Sequence, residues 1–203
     1  MSKADKPRCT WPGLEHPEYL HYHDTEWGVP TADDTKLFEK LILEGFQSGL
    51  SWLTILRKRD TFRQAFHGFD AERIARYTDK DKARLMADAG IIRNRLKIDA
   101  TIDNARAFLA LQDKEGLAPF LWDFFDGKPL INAYAQHGDV PPVTDHSTRI
   151  SKALKQKGFR FVGPTTVYAF LQSMGFVNDH LTTCHRHAQC AKLQRNFKAP
   201  KRT

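Results

Sequence analysis

The sequence predicts an all-α protein. Apolar residues recur at helical spacing along most of its length, as Leu37, Phe38, Leu41 and Ile42 do. Residues that favour helix starts stand directly before many of these runs. Alternation of apolar and polar residues, which is typical of strands, never persists beyond about four residues, and no repeat of fixed period is present.

Each predicted helix carries its own start or stop signal. Asp33 or Asp34 caps the first clear helix, and Gly49 separates it from a second that begins near Trp52. The segments FLWDFFDG and SKALKQKG are also predicted to be helical, and a last helix is expected near residues 178–188. The remaining signals are Asp60 before DTFRQAF, Asp70 before DAERIARY, a Thr78–Asp81 capping box, Asn94 at the start of a long helix ending near Gly116, and Pro164 in the first turn of PTTVYAFLQSMG.

Length and composition indicate a globular protein. The chain has 203 residues, with 41% hydrophobic and 27% charged residues, enough for one sizeable core or two small lobes that share one. No apolar run approaches the ~20 residues that a membrane helix needs. The first residues lack the apolar segment of a signal peptide. Three cysteines argue against a disulfide framework, so we expect a cytoplasmic protein.

The charge is distributed unevenly. Residues 1–148 contain 20 Lys/Arg and 23 Asp/Glu, whereas residues 149–203 contain 11 Lys/Arg and the single acid Asp179. A basic segment attached to a near-neutral body is typical of proteins that bind nucleic acid, although a solubilising tail would show the same bias. We expect one domain over residues 1–188 and a basic, disordered tail over residues 189–203.

Cysteine and histidine residues at the two ends of the chain suggest a metal site. If HLTTC is helical, His180 and Cys184 lie one turn apart on one face. With Cys9 and His23 they would complete the tetrahedral shell of a structural zinc ion. Spacing alone does not decide the set, because other residues nearby compete for the role, namely His185, His187 and Cys190.

The segment DAGIIRNRLKI predicts a hairpin between two helices. Gly90 permits a tight turn, Ile91 and Ile92 can pack beneath it, and the amides that follow begin a helix. Such amides bind phosphate without reading the base sequence. Arg93 and Lys97 add positive charge nearby. An ordinary helix–helix connection would have a similar sequence, so this segment indicates DNA binding only in combination with the other features of the chain.

A carboxylate stands in the most apolar predicted helix. Glu44 lies in KLILEGFQSGLSWL, between Leu43 and Phe46. An ionised carboxyl among apolar side chains is costly to bury unless a partner compensates its charge. We therefore expect Glu44 to face a pocket whose ligand is that partner. Aromatic residues that could stack a base in such a pocket cluster in the first quarter of the chain: Trp11, Tyr19, Tyr22, Trp27 and Trp52.

Several segments together resemble the Tag family of 3-methyladenine DNA glycosylases. They follow one another in the family's order from about Arg8 to Cys184, nearly the whole chain. The segments are RCTW, YLHYHDTEWGVP, LFEKLILEGFQSGLSWLTIL, DAGIIRNRLKI, SKALKQKGFRFVGPTTVYAFLQSMGFVNDH and HLTTC.

The resemblance implies a helix-hairpin-helix DNA glycosylase fold of two helical lobes, with the hairpin at about 79–113. It implies a monomeric enzyme that flips 3-methyladenine out of double-stranded DNA, releases the free base and leaves an abasic site. One structural Zn²⁺ would join the two ends of the chain. Its ligands would be Cys9, His23, His180 and Cys184.

The resemblance also assigns roles to the remaining residues. Glu44 would contact the methylated purine, reading its edge rather than removing a proton, while Tyr22 and Trp52 stack on it. Trp11, Tyr19 and Trp27 would line the pocket. Leu50, after Gly49, would enter the duplex beside the vacated base. The DNA backbone would be held by the hairpin, through Gly90, Ile91, Ile92, Arg93 and Lys97.

Two other functions fit parts of the sequence. A glycosylase/lyase of the endonuclease III type would need four cysteines for its iron–sulfur cluster, and this chain has three. A zinc-stabilised protein that binds damaged DNA but has lost turnover is the second alternative, and the presence of Glu44, Tyr22 and Trp52 argues against that loss. Both therefore explain less of the sequence than a monofunctional glycosylase does.

Overall fold

The computed structural model describes residues 6–201. Within them the chain forms ten α-helices and one pair of two-residue strands. These elements are α1 (Pro17–Thr25), α2 (Asp34–Gln47), α3 (Trp52–Ala65), α4 (Ala71–Ala75), α5 (Asp79–Ala87), α6 (Arg95–Gln112), α7 (Leu117–Asp123), β1 (Leu130–Ile131), α8 (Asp145–Gln156), α9 (Pro164–Ser173), β2 (Val177–Asn178) and α10 (His185–Asn196). Helices dominate, as predicted, and no helix in the described part is long and apolar enough to cross a membrane.

Side-chain caps explain where most of the helices begin. The carboxylate of Asp33 accepts hydrogen bonds from the amides of Thr35 and Lys36 at the start of α2. These bonds satisfy amides that have no partner inside the helix. Equivalent caps confirm the predicted starts of α4 (Asp70), α5 (the Thr78–Asp81 box) and α6 (Asn94). The helix α9 begins without a side-chain cap, with Pro164 in its first turn as predicted.

Three predictions of secondary structure are wrong. Asp60 begins no helix, because α3 runs unbroken from Trp52 to Ala65. No helix covers residues 178–184, since β2 pairs in parallel with β1 there and a turn follows. The long helix α6 ends at Gln112, one turn before Gly116. These two-residue strands are too short to produce a recognisable alternation in the sequence.

The expected tail is largely folded. The helix α10 continues through residues 189–196, and Gln194 within it is buried. Beyond the helix, the ring of Phe197 packs on that of Trp122 at a centroid distance of 4.7 Å. The prediction of a disordered segment over 189–203 is therefore wrong for residues 189–197; residues 202 and 203 lie outside the described part. Positive charge misled the prediction: Lys192 and Arg195 of α10 are exposed, but Cys190, Ala191 and Gln194 of the same helix are buried.

Helix α2 occupies the centre of the molecule. It packs against α3, α6, α7 and α9, and one continuous hydrophobic core surrounds it. On one side α4 packs against α6, and on the other α8 packs against α9. The residues of α2 from Lys40 to Phe46 are all buried. Any side chain of α2 that serves a site is therefore held rigidly by the core.

Candidate functional site

A cavity of ≈ 270 Å³ lies against α1, the C-terminal half of α2 and the start of α3. We call it the base cavity. All six residues predicted to form a base pocket line it: Trp11, Tyr19, Tyr22, Trp27, Glu44 and Trp52. Residues that the sequence did not single out also line it, among them Gln47, His137, Gln172 and Asp179. The structure thus brings together residues that are spread over most of the chain.

The aromatic side chains of the base cavity form one continuous wall. The rings of Tyr22 and Trp52 contact each other at a centroid distance of 5.5 Å and an angle of 42°. Tyr19 stacks beside Tyr22, and Trp11 packs edge-on against Trp27 at 4.6 Å. Rings that touch leave no slot between them, so a planar ligand would lie on this wall rather than between Tyr22 and Trp52.

Glu44 lies at the base cavity and is 4% exposed. The expectation that only a ligand could be its partner is wrong. Lys40, one helical turn earlier, places its Nζ 3.0 Å from the Glu44 Oε1, and both side chains are buried. The i, i+4 spacing brings the two groups to the same side of α2. The sequence contained this signal, because the lysine stands four residues before the glutamate.

The ammonium of Lys40 joins this pair to the aromatic wall. It donates a hydrogen bond of 2.8 Å to the Tyr22 hydroxyl and lies 3.2 Å from the centroid of the Trp52 ring. Burial lowers the pKa of Lys40 to about 8, and the attraction of Glu44 offsets part of that effect. Burial, together with the charge of Glu44, raises the pKa of Tyr22 well above its ordinary value. Tyr22 therefore remains a neutral phenol.

Asp179 is a second carboxylate at the base cavity, and it is 3% exposed. It accepts hydrogen bonds from Asn132, Tyr168 and Gln172. Burial and this contact raise the pKa of Tyr168, which stays a hydrogen-bond donor. Asp179 was visible in the sequence as the lone acid of the basic C-terminal portion, but nothing near it in sequence indicates its partners.

Four buried side chains from the two ends of the chain converge beside the base cavity. We call them the metal cluster: Cys9, His23, His180 and Cys184, whose ligand atoms lie within 4.8 Å of one another. The Cys184 Sγ lies 3.6 Å from the His23 Nε2 and 3.7 Å from the His180 Nδ1, and the Cys9 Sγ lies 3.5 Å from that Nδ1. Ligand atoms around a tetrahedral zinc ion lie about 3.4–3.8 Å apart.

The second nitrogen of each histidine in the metal cluster has its own partner. The Nδ1 of His23 contacts the Asp24 carboxylate at 2.8 Å, and Arg8 forms an ion pair with that carboxylate. The Nε2 of His180 lies 3.1 Å from the carbonyl of Trp27. Such outer contacts fix the ring orientation and leave the inner nitrogen free to bind a metal ion. The donor set, the burial and the spacing therefore fit a metal ion.

The two thiols of the metal cluster affect each other's ionisation. A hydrogen bond from Cys9 lowers the pKa of Cys184, and the two histidines lower it further. The same bond raises the pKa of Cys9. Thiolate is the form that binds metal ions, so this arrangement favours at least one strong ligand.

The three competing candidates do not join the metal cluster. His185 contacts the carbonyl of Pro7, and His187 contacts that of Asn132. Cys190 is buried and approaches the carbonyl of Trp27. The expected helical arrangement of HLTTC is also wrong: residues 180–184 form a turn that ends in the N-cap of α10.

The metal cluster supports the wall of the base cavity directly. The His23 ring packs edge-on against Trp11 at 4.8 Å, and the His180 ring packs edge-on against Trp27 at 4.6 Å. Both tryptophans line the base cavity. A metal ion that fixes the two imidazoles would therefore also fix these rings.

The connection between α2 and α3 forms an exposed tip beside the base cavity. Gly49 has φ +84°, a conformation that favours glycine, and Leu50 is 39% exposed although it is a large apolar residue. Gln47, which lines the cavity, donates a hydrogen bond to the carbonyl of Leu50. The tip therefore lies at the surface beside the base cavity, and the contact of Gly49 and Leu50 with DNA stays a prediction.

The turn between α5 and α6 lies where the hairpin was predicted. The Gly90 amide donates to the Asp88 carboxylate, and a Cβ at Gly90 would lie 2.9 Å from that carboxylate and 3.0 Å from the Thr61 Cβ, so a larger residue would displace these neighbours. Ile91 is buried, Ile92 is partly buried and Arg93 is exposed. Of the residues predicted to hold DNA here, Arg93 offers an exposed cation, whereas Ile91 can offer only its backbone.

Lys97 does not fit its predicted contact with DNA. It is 8% exposed, and its Nζ donates to the carbonyls of Phe46 and Ser48 at 2.8 and 2.7 Å. Burial lowers its pKa. The ammonium thus caps the C-terminal end of α2, where the helix dipole favours a cation. Lys97 ties α6 to the start of the exposed tip instead of facing a phosphate.

Comparisons with known proteins agree with this geometry. A family model described as methyladenine glycosylase matches residues 11–187. A DNA-3-methyladenine glycosylase of Haemophilus influenzae (strain Rd) is 49% identical over 178 residues, which cover 87% of this chain and 96% of that protein.

Solved structures are similar as well. A crystal structure of 3-methyladenine DNA glycosylase I matches with a TM-score of 0.86 and 50% identity, covering 88% of this chain and 98% of the other. A crystal structure of a single-residue variant of 3-methyladenine DNA glycosylase I, in complex with 3-methyladenine, matches with a TM-score of 0.83 and 37% identity, covering 94% and 97%.

Proposed function

The chain belongs to the methyladenine glycosylase family, and on that premise we propose that it repairs alkylated DNA. It hydrolyses the N-glycosidic bond of 3-methyladenine in double-stranded DNA, releases the free base and leaves an abasic site. The observation that carries this proposal is the base cavity itself, in which the Glu44 carboxylate stands beside a wall of aromatic rings.

The chemistry of the substrate explains why this site suffices. A 3-methylated adenine in DNA carries a positive charge, so it is already a good leaving group and needs no protonation. The enzyme has to select the base, extrude it and admit water. Aromatic faces attract a cation by up to about 2 kcal/mol when water is excluded. The rings of Tyr22 and Trp52 provide such faces at the cavity.

Glu44 acts in recognition of the base. Its carboxylate can accept a hydrogen bond from the exocyclic amine of the purine, and its charge favours a cation over neutral adenine. Asp179 places a second negative charge at the same cavity. Both acids are anchored by neighbouring side chains, so neither has to reorganise when the base enters.

The exposed tip and the hairpin bind the DNA. Extruding a base costs a few kcal/mol, and less for a damaged one. Leu50 offsets part of this cost by filling the space that the base vacates, while the amides after Gly90 and the exposed Arg93 hold backbone phosphates. Glycine at position 49 lets the tip approach the duplex closely.

The metal cluster holds one structural zinc ion. Two thiols and two imidazoles at tetrahedral spacing are a donor set typical of zinc. Because all four ligands come from the protein, the ion has no open position for water and supplies structure instead of chemistry. The enzyme works as a monomer in the cytoplasm, where its three cysteines remain reduced.

The direct test is to incubate the protein with methylated duplex DNA and to separate the released bases by chromatography. We expect release of 3-methyladenine and none of 7-methylguanine. Glu44→Gln should lower kcat/KM at least about tenfold, because the loss of one charged hydrogen bond costs about 1.5–3 kcal/mol. It should also weaken the binding of free 3-methyladenine, measured by calorimetry.

The control for this substitution is Glu39→Gln on the same helix. Glu39 forms a partly buried ion pair with Arg63 and does not line the base cavity. The Glu39→Gln variant should release 3-methyladenine at a rate within about twofold of that of the unaltered protein. Failure to release 3-methyladenine would refute the proposed reaction, and an adduct trapped by borohydride on the DNA would indicate a lyase instead.

A further inference from the structure

A second cavity lies behind the aromatic wall. It has a volume of ≈ 330 Å³, and Tyr22 and Trp52 line it as they line the base cavity. Glu44 lines the base cavity alone, whereas Lys40 lines the second cavity alone. The ion pair between them therefore crosses the wall, with the carboxylate on the side of the base and the ammonium behind it.

Lys40 makes three directed contacts from its position in the wall. Its Nζ lies 3.0 Å from the Glu44 Oε1, 2.8 Å from the Tyr22 hydroxyl and 3.2 Å from the centre of the Trp52 ring. The ammonium thus occupies one face of the Trp52 indole, which leaves the other face for a stacked base. It also fixes one of the two oxygens of Glu44 and leaves the second oxygen free to face the base cavity.

Lys40 is the counterion of Glu44. A buried carboxylate without a counterion takes up a proton more readily, because burial disfavours its ionised form. A protonated Glu44 would lack the negative charge that distinguishes a cationic base from neutral adenine. No other cation lies within salt-bridge distance of Glu44 in the described part of the chain.

We propose that Lys40 is a positioning residue for the reaction. Its ammonium keeps Glu44 ionised, aims the free carboxylate oxygen at the base cavity, and determines which face of Trp52 receives the base. This role rests on the proposed function of the base cavity. Recognition of the damaged base then depends on Lys40, although Lys40 does not contact the base.

The surroundings of Lys40 agree with this role. Glu44 faces it from its own helix, Tyr22 and Glu26 face it from α1 and the residue that follows, and Arg59 faces it from α3. Arg59 is itself paired with Glu26. Burial lowers the pKa of Lys40 to about 8, so the ammonium form still dominates at neutral pH. Its positive charge is therefore available to Glu44 under the conditions in which the enzyme works.

The test compares two substitutions of similar length that differ in charge. Lys40→Arg retains a cation, and Lys40→Gln removes it. For each, kcat/KM for the release of 3-methyladenine is measured between pH 5 and pH 9. We expect the acid limb of the profile to move to higher pH by about one unit or more in Lys40→Gln and to stay in place in Lys40→Arg. Lys192→Gln, at an exposed lysine of α10 that lines neither cavity, is the matched control and should change nothing.

A second measurement makes the outcome independent of activity. Carbon-13 NMR of the Glu44 carboxyl gives the pH at which it takes up a proton, in the presence or absence of turnover. A midpoint shifted upward in Lys40→Gln but not in Lys40→Arg supports the proposal. An equal loss of activity at every pH, with an unmoved midpoint, would show that Lys40 only fills space and would overturn it. If the unaltered protein releases no base, the proposed function fails, and the NMR comparison still decides whether Lys40 sets the charge of Glu44.

Discussion

The Lys40–Glu44 pair and the metal cluster are both buried groups of polar side chains, but their partners come from different distances. Lys40 and Glu44 lie four residues apart on one helix and neutralise each other. The residues of the metal cluster lie up to 175 positions apart in the sequence. They are not a pair of opposite charges; their nitrogen and sulfur atoms offer lone pairs that can bind a metal ion. One group is complete within a single helical turn. The other is complete only when the two ends of the chain meet.

This difference separates two ways of stabilising a buried polar group. A local pair forms as soon as its helix forms, so it mainly tunes a site that the core already holds. A distant set of ligands comes together only when the whole chain folds, so the binding energy of an ion held there becomes folding energy. Each group contacts rings in the wall of the base cavity: Lys40 contacts Tyr22 and Trp52, and His180 packs against Trp27.

The largest effect is expected at the metal cluster. Cys184→Ala should remove the bound metal, measured by elemental analysis, and lower the thermal midpoint by more than about 10 °C, because structural zinc contributes many kcal/mol. The control is Cys190→Ala, which removes a buried thiol next to the cluster but no ligand. Equal midpoints for the two variants, with no metal in the purified protein, would contradict a metal-dependent fold.

An intermediate effect is expected for the Lys40–Glu44 pair. In a double-mutant cycle of Lys40→Gln and Glu44→Gln, urea unfolding should give a coupling energy of at least about 2 kcal/mol, because each single change leaves the other charge buried. The pair Glu72–Arg76 has the same i, i+4 spacing, with both side chains 76% exposed. Its coupling should be close to zero, since water screens both charges. Similar coupling energies for the two pairs would mean that burial does not strengthen the interaction between Lys40 and Glu44.

The smallest effect is expected where α10 covers the back of the metal cluster. Gln194 donates two hydrogen bonds, to the carbonyls of Gly28 and Gly175. Gln194→Ala should lower the free energy of unfolding by about 1 kcal/mol in urea, since those carbonyls lose their donor. Gln156→Ala, on the exposed surface of α8, is the control and should change little. An unaltered stability in Gln194→Ala would indicate that this segment does not hold the fold.

Local signals in the sequence predicted most of the helices. Asp33, Asp70 and Asn94 each cap the helix that follows, and the hydrogen bonds that do so lie within three residues. Asp60 misled the prediction because a cap-forming residue can also lie inside a helix when apolar residues continue on both sides. The short pairing of β1 with β2 joins segments far apart in sequence, so no local pattern reveals it.

The site was predicted unevenly. The resemblance named all six residues that line one side of the base cavity, and the four residues of the metal cluster, without any knowledge of distances. Lys97 was predicted to contact DNA because a lysine beside a hairpin is usually exposed. In the structure its side chain instead reaches the C-terminal end of α2. Asp179 was missed because its three hydrogen-bond donors come from other segments of the chain.

The helical fold, the family and the kinds of residue in the site can be predicted from the sequence, because helix caps, apolar spacing and family motifs all lie within short runs of consecutive residues. The tertiary structure was needed to find that Lys40 holds Glu44, that Lys97 caps a helix and that α10 belongs to the fold. Each of these depends on where a flexible side chain or a basic segment finds a partner across the core. Burial and distance in the folded protein determine these partners, and neither can be read from the order of residues alone.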